Sequence, residues 1–318
     1  MPEWLAERGI GETRLVRVKD GEIVEAQILL DGAVRAGTVL DARLKSRGLG
    51  GRNAIAVSDD GAEFLLPRGA GPATEGRPVR IEVLRGPIPG DETWKRPLAR
   101  FTDKPVGEAP LPAADDLTFP SPQDRLGALG WNDLLEEARS GTVRFAGGEL
   151  YIEPTRAMTM IDVDGIGEAH ELAMVGAAAS ARAILRLDLQ GSIGIDLPTA
   201  TGKDARQRAA DAVDAILPQP YERTAVNGFG FVQLVRPRQR ASLPELAQDR
   251  ADFEARSLLR RAAFEGSGAR RLVAHPAVIA AIEASSDWLD SLSRQVGGAV
   301  TLRSEPSLPI QSGYVENS

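Results

Sequence analysis

Two apolar segments of this chain each end in aspartate, and aspartate carboxylates are side chains that hold hard metal ions. Residues 157–165 carry Asp162 and Asp164, and residues 191–198 carry Asp196. Both segments read as β-strands with carboxylates at their C-terminal tips. Because ligands collect at the carboxyl ends of strands in open α/β sheets, we expect an oxygen-only site for Mg²⁺ here. Such a site supports metal-assisted chemistry on a phosphate group.

Strand periodicity predicts which of these side chains point the same way. Alternation puts Asp162 and Asp164 on one side of their strand, and it puts Asp196 on the side shared with Gly194. A glycine there leaves room for a ligand to approach the backbone. An alternative interpretation stays open, since aspartate is common at turns and caps and these residues could simply end strands.

Two arginines follow the last strand predicted in the same region. Arg236 and Arg238 lie just beyond that strand, and guanidinium groups bind phosphate in a bidentate manner at any working pH. We interpret them as candidate phosphate-binding residues. The alternative is a basic strand end that is merely solvated.

The chain has 318 residues, of which 42% are hydrophobic and 26% are charged, as is typical of a globular protein of two or three domains. It contains no cysteine, which excludes disulfides, thiolate nucleophiles and cysteine-ligated zinc. His170 and His275 are the only histidines, which argues against a histidine-based triad. Without a signal sequence or an apolar run of about 18 residues, we expect a cytoplasmic protein with no membrane partner.

The net charge of −7 argues mildly against a nucleic-acid partner, but the distribution of charge matters more. Residues 236–271 contain nine arginines against five acids, so the acidic chain can still present a basic face. Within that stretch, Arg256, Arg260 and Arg261 are spaced to share one side of a helix. We interpret that side as a plain solvent-exposed face.

Short strands separated by glycine-rich turns precede the aspartate region. The pair Asp20-Gly21 predicts a hairpin. About five short strands within residues 37–101 predict a small barrel of the OB type. Proline-rich residues 102–123 predict a linker or an extended crossing segment.

Alternating strands and helices then predict a layered α/β region around the aspartates, so the fold class is mixed α/β. Helices are expected over 124–140, 169–186 and 203–217, with further helices near 245–263 and 276–296. The predicted domains are a hairpin start, the barrel, the linker, the α/β region and a small α/β subdomain, at residues 1–36, 37–101, 102–123, 124–243 and 244–318.

These segments together resemble the ribonuclease E/G family of bacterial endoribonucleases. The resemblance covers residues 7–45 and 145–245, and it is carried by residues 150–165, 191–196 and 227–240. It implies a catalytic region similar to the DNase I fold and an RNase H-like start. It also implies, more weakly, an S1-type barrel inserted between the two.

The resemblance further implies residue roles and a substrate. The family positions that bind catalytic Mg²⁺ match Asp162 and Asp196, and Asp164 stands where the family usually has asparagine. The implied activity is cleavage of single-stranded RNA by water, which leaves 5′-phosphate and 3′-hydroxyl ends. Arg236 and Arg238 would then hold backbone phosphate, and Phe64 is the clearest candidate in the barrel to stack on a base.

The chain also departs from the family pattern in three respects. The segment after the barrel is too short for the family's 5′-phosphate sensor, the cysteines of its zinc link are absent, and the barrel is poor in aromatic residues. We therefore expect neither 5′-end dependence nor a zinc-linked dimer, and homo-oligomerisation stays open. Two alternatives also remain: a catalytically weak or inactive RNA-binding relative, and a metal-dependent phosphohydrolase acting on small nucleotides.

Overall fold

The chain folds into a mixed α/β structure with three open sheets and one closed barrel within the described residues. This computed structural model describes residues 3–69, 71–90, 95–285 and 287–317. The mixed α/β class and the presence of a small barrel, both expected from the sequence, are confirmed.

The N-terminal sheet begins with an antiparallel meander. Its first strands are β1 (Glu3–Arg8), β2 (Glu12–Lys19) and β3 (Glu22–Leu30). Asp20 and Gly21, with φ of 55° and 82°, form the tight turn between β2 and β3. The predicted hairpin is therefore confirmed, whereas β1 lies outside the strands predicted from the sequence.

Five short strands close into a barrel: β4 (Val39–Ser46), β5 (Ala54–Ser58), β6 (Glu63–Leu66), β7 (Pro78–Arg85) and β8 (Leu98–Phe101). Alternate side chains fill its interior, and Phe64 among them is only 1% exposed. The prediction that Phe64 stacks on a base is therefore wrong. Its ring belongs to the barrel core, where no base can reach it.

The segment after the barrel adds a strand and two short helices. Strand β9 (Asp115–Leu117) pairs in parallel with β1 and becomes the fourth strand of the N-terminal sheet. Helices α1 (Arg125–Ala128) and α2 (Trp131–Ser140) follow. The single helix predicted over 124–140 is thus divided, because Gly130 between the two helices has a left-handed backbone with φ of 90°.

The central α/β region contains the predicted strands and helices around the aspartates. Its elements are β10 (Thr142–Phe145), β11 (Gly148–Pro154), β12 (Thr159–Gly165), α3 (Ala169–Arg186), β13 (Gly191–Asp196), α4 (Lys203–Asp214), β14 (Glu222–Arg223) and β15 (Phe231–Arg236). The strands lie in the order β10-β11-β12-β13-β15-β14. Only β12 and β13 are parallel, and α3 connects them.

One face of this central sheet is covered and the other is open. Ile161 and Val163 are buried on the covered face. Helix α3 packs so closely there that a Cβ on Gly176 would lie 2.3 Å from Val163 Cγ1. The helix also reaches the N-terminal sheet, where Arg186 Nη1 donates to the carbonyl oxygen of Ile23 at 2.6 Å. A single apolar core therefore joins both sheets through α3.

The C-terminal part has four helices and a three-stranded sheet ordered β17-β16-β18. The first helix packs against the main core, and the other three surround a smaller core with the sheet. These elements are α5 (Leu243–Gln248), α6 (Arg250–Phe264), β16 (Arg270–Ala274), α7 (Pro276–Ala284), α8 (Trp288–Val296), β17 (Val300–Ser304) and β18 (Tyr314–Asn317). Across the described parts of the chain, no helix combines the length and the apolar character that crossing a membrane requires.

Helix α6 does not present the exposed arginine face expected from its sequence. Arg256 and Arg260 are buried. Arg256 Nε donates to Glu12 at 2.9 Å, Arg260 Nε donates to Glu7 at 2.8 Å, and Arg260 Nη2 donates to Asp124 at 2.6 Å. The expectation is wrong for Arg256 and Arg260, because these acids, distant in the sequence, fold against the helix and pair with them. Arg261 is exposed, as expected.

Candidate functional site

Asp162 and Asp196 occupy matching positions on neighbouring parallel strands. Asp162 of β12 is the register partner of Asp196 of β13, and neighbouring strands lie about 4.8 Å apart. Residues in register point to the same side of a sheet, and both aspartates are exposed on the open face. The two carboxylates therefore share one patch of surface at the carboxyl ends of their strands.

The local sequence determines this orientation. Successive strand residues point to opposite faces, and each aspartate lies between two buried apolar residues, namely Ile161 and Val163, and Ile195 and Leu197. Burial of these neighbours turns both carboxylates outward. A slip of one residue in either strand would bury a carboxylate, so the register is strongly specified.

Asp164, Glu149 and Tyr151 extend the polar surface on one side of the pair. Tyr151 is the register partner of Asp162, and Glu149 is the register partner of Asp164. The Tyr151 hydroxyl and Arg144 Nε each donate to Glu149 at 3.0 Å. The bond to Glu149, followed by the charges of Asp164 and Asp162, raises the pKa of Tyr151. Glu149 is therefore engaged, whereas Asp164 accepts a hydrogen bond from the neighbouring Gly165 amide at 2.8 Å.

On the other side, aromatic packing fills the space predicted for a ligand over Gly194. A Cβ on Gly194 would lie 2.7 Å from Phe231 Cζ and 3.0 Å from Met160 Sδ. The glycine thus accommodates the Phe231 ring on the sheet. The expectation that a ligand approaches the backbone at Gly194 is wrong, because protein side chains already occupy that space.

The donor set of this patch fits a Mg²⁺ ion that keeps part of its water shell. Within the described residues, no group of three or more histidine, aspartate or glutamate side chains is placed to hold a metal. Mg²⁺ does not need such a cage, because one or two carboxylates with waters and substrate phosphate suffice. Asp162 and Asp196 supply that number of carboxylates from rigid strands.

The structure does not bring the two candidate arginines to the carboxylates. Arg236 alternates with the exposed Val235, so it lies on the covered face, and its Nη1 donates to the carbonyl oxygen of Leu189 at 2.8 Å. Burial lowers the pKa of this guanidinium. The side chain of Arg236 therefore points away from the aspartates, and the structure gives no support at this face to the interpretation of Arg236 as a phosphate-binding residue.

Arg238 lies at the opposite end of the sheet from the carboxylates. Its side chain passes Gly191, which is five residues, or roughly 16 Å, from Asp196 along β13. It donates to Glu245 and, with Arg156, lines a polar cavity of about 320 Å³. A phosphate bound by Arg238 would therefore lie roughly 16 Å from the carboxylate pair.

Exposed apolar side chains border the carboxylates and were not singled out in the sequence. Ile166, just after β12, is 86% exposed, and Phe229, just before β15, is 83% exposed. Tyr151 is also exposed. Two sequence signals point to the aromatic residues: Tyr151 alternates with glutamates on the polar side of β11, and Phe229 lies between two glycines.

The arrangement combines two outward carboxylates, a third on the same face, and aromatic surface beside them. It can hold a divalent cation next to a phosphate while leaving the face open to an extended ligand. No protein-family model matches the chain, and no curated protein is significantly similar to it.

Proposed function

We propose that this protein is a Mg²⁺-dependent endoribonuclease that hydrolyses single-stranded RNA and leaves 5′-phosphate and 3′-hydroxyl ends. The observation that carries the proposal is the in-register pair of Asp162 and Asp196 on an open sheet face. Two carboxylates suit a Mg²⁺ that takes waters and substrate phosphate as its other ligands. The resemblance of residues 150–165 and 191–196 to the ribonuclease E/G family supports the same activity.

This proposal gives each part of the fold a role. The central sheet is a catalytic region of the DNase I type, and the N-terminal sheet belongs to an RNase H-like subdomain. The barrel is an S1-type guide for the RNA strand. Arg238 holds a backbone phosphate at the end of the sheet opposite to the carboxylates.

Asp162 and Asp196 would hold the metal, and Asp164, on the same face, would ligate it directly or through water. A Mg²⁺ ion held by these carboxylates would supply polarisation of the scissile phosphate and a lowered pKa for the attacking water. Attack of that water on phosphorus breaks the bond to the 3′ oxygen. The phosphate stays on the 5′ end of the downstream fragment, and the departing 3′ oxygen takes a proton and becomes a hydroxyl.

Electrostatics favour an enzyme over a protein that only binds RNA. Exposed carboxylates repel phosphates, so a pure binder gains nothing from Asp162, Asp164 and Asp196 on one face. The arrangement is favourable only where a cation lies between carboxylate and phosphate.

The substitution Asp162→Asn tests the proposal. The side chain is exposed, so the variant should fold normally. We expect RNA cleavage to be lost, while RNA binding stays equal or becomes tighter because one negative charge is removed. Glu153→Gln is the matched control, since it removes an exposed carboxylate from the same face of the sheet without touching the pair.

Two outcomes would contradict the proposal. Loss of RNA binding together with cleavage in Asp162→Asn would mean that the residue is structural. Hydrolysis of a mononucleotide without cleavage of a long RNA would favour the small-nucleotide phosphohydrolase.

A further inference from the structure

A well-ordered loop holds the exposed ring of Phe229. The Asn227 side-chain oxygen accepts hydrogen bonds from the amides of Phe229 at 2.9 Å and of Phe231 at 3.1 Å. Thr199 Oγ1 donates to the carbonyl oxygen of Phe229 at 3.2 Å. Backbone and side-chain bonds therefore fix the loop on both sides of the ring.

Gly230 makes this loop conformation possible. It has a φ of 92°, and a Cβ at this position would lie 2.1 Å from the carbonyl oxygen of Leu197. The loop therefore packs closely against the segment that follows Asp196 at the end of β13. The ring of Phe229 is thus carried on a constrained backbone while its side chain stays in solvent.

The loop lies at the same end of the sheet as the carboxylates. Phe231, the first residue of β15, is the register partner of Asp196. Phe229 precedes it by two residues and so projects past the sheet end that carries Asp196. Phenylalanine is usually buried, and an exposed ring on a constrained backbone at the sheet end that carries Asp196 is a surface suited to a planar ligand.

We propose that Phe229 is a stacking platform for an unpaired RNA base next to the phosphate held at Asp162 and Asp196. This inference rests on the proposed endoribonuclease function. Every base has a π-face, so stacking on a phenyl ring tolerates any sequence but requires a base that is not paired. Phe229 thereby selects single-stranded RNA and positions the strand at the carboxylates.

Binding of two probes with Mg²⁺ present, measured in the Asp162→Asn background that should bind RNA without cleaving it, tests the inference. One probe is a short single-stranded RNA, and the other is a ribose-phosphate strand of equal length without bases. Phe229→Ala should bind the RNA about tenfold more weakly, the loss expected for one stacked base, and should bind the strand without bases as the wild type does. In cleavage with Mg²⁺, KM should rise while kcat is largely kept.

Further variants keep the test independent of folding. Phe229→Leu should behave like Phe229→Ala, because leucine is apolar but has no aromatic face, and Phe229→Trp should restore wild-type affinity. Tyr314→Ala is the control, since it removes an exposed aromatic ring from β18 in the C-terminal sheet.

The outcomes separate this inference from the proposed function. If the wild type cleaves RNA and Phe229→Leu binds RNA as tightly as the wild type, the stacking platform alone is overturned. An equal loss of affinity for both probes also overturns it, because the effect would then not depend on bases. If the wild type neither binds nor cleaves RNA, the proposed function fails and this inference fails with it.

Discussion

Because Arg236 points to the covered face of the sheet, we predict that its replacement lowers the stability of the fold without weakening RNA binding. Arg236→Ala removes the bond to Leu189 and should lower the free energy of unfolding by about 1.5–3 kcal/mol, as for other charged donors. The slope of log K against log salt for RNA binding should stay unchanged, since no phosphate contact is lost. Chemical denaturation and binding at several salt concentrations measure the two quantities.

Arg238→Ala is the matched comparison for that experiment. Its side chain is partly exposed beside a polar cavity, so its loss should reduce the salt slope by about 0.7, the value for one contact to a single strand. The opposite pattern would reverse the roles given to the two arginines. In that pattern the salt slope is reduced for Arg236→Ala and unchanged for Arg238→Ala.

Strand alternation shows how far single residues could be predicted from the sequence. It predicted that Asp162 and Asp164 share a face, and both are exposed. The same rule, applied to residues 231–236, separates Arg236 from Phe231 and would have placed it on the covered side. The Phe231 ring over Gly194 could not be predicted, because it depends on which strand lies next to β13.

Buried ion pairs hold helix α6 against the rest of the fold. Arg260 donates to Glu7 of β1 and to Asp124, the residue that caps α1. Arg260→Ala leaves half-buried Asp124 without its guanidinium partner and removes one of the two arginines that pair with buried Glu7. It should lower the free energy of unfolding by about 3–5 kcal/mol. Urea denaturation measures this change.

Arg250→Ala on the same helix is the control for that prediction. Arg250 is exposed at the start of the helix. Its replacement should change the free energy of unfolding by no more than about 0.5 kcal/mol. Equal effects of the two substitutions would show that the buried network does not hold α6 in place.

Asp124 adds a pH dependence to this network. Burial raises the pKa of Asp124, but hydrogen bonds from Arg260 and the Gly127 amide outweigh burial and keep the pKa below its ordinary value of 3.8. A carboxyl of this kind stabilises the fold above its ordinary pKa and loses that contribution as the pH falls through the lowered pKa. The stability gap between wild type and Asp124→Asn should therefore shrink below about pH 4. A gap that stays constant from neutral to acidic pH in urea denaturation would contradict this.

Strand β1 was missed because its sequence lacks the alternation of a half-buried strand. Strand β1 does not alternate cleanly, since Leu5 and Ala6 are both buried and Glu7 is buried with them through Arg14 and Arg260. Only the pairing of β1 with β2 and β9 makes it a strand. The barrel was predictable because its short strands and glycine-rich turns are local features.

At the scale of the whole molecule, the arginine-rich stretch serves the fold more than the surface. Residues 236–271 predicted a basic face, yet most of its arginines have internal partners. Besides the pairs of α6, Arg240 pairs with Asp188, Arg261 donates to Gly313, and Arg270 donates to carbonyl groups after α6. Most of the positive charge of this stretch is therefore engaged in contacts inside the fold and does not form a basic surface.

The most direct test of the endoribonuclease proposal is cleavage of a fluorophore-labelled single-stranded RNA by wild type and Asp196→Asn, each with Mg²⁺ and with a chelator. We predict cleavage only for the wild type with Mg²⁺, restored when Mg²⁺ is added back after chelation, and none for a folded Asp196→Asn. Cleavage by Asp196→Asn at the wild-type rate, or by the wild type in the chelator, would contradict the assignment of the aspartate pair as the catalytic metal site.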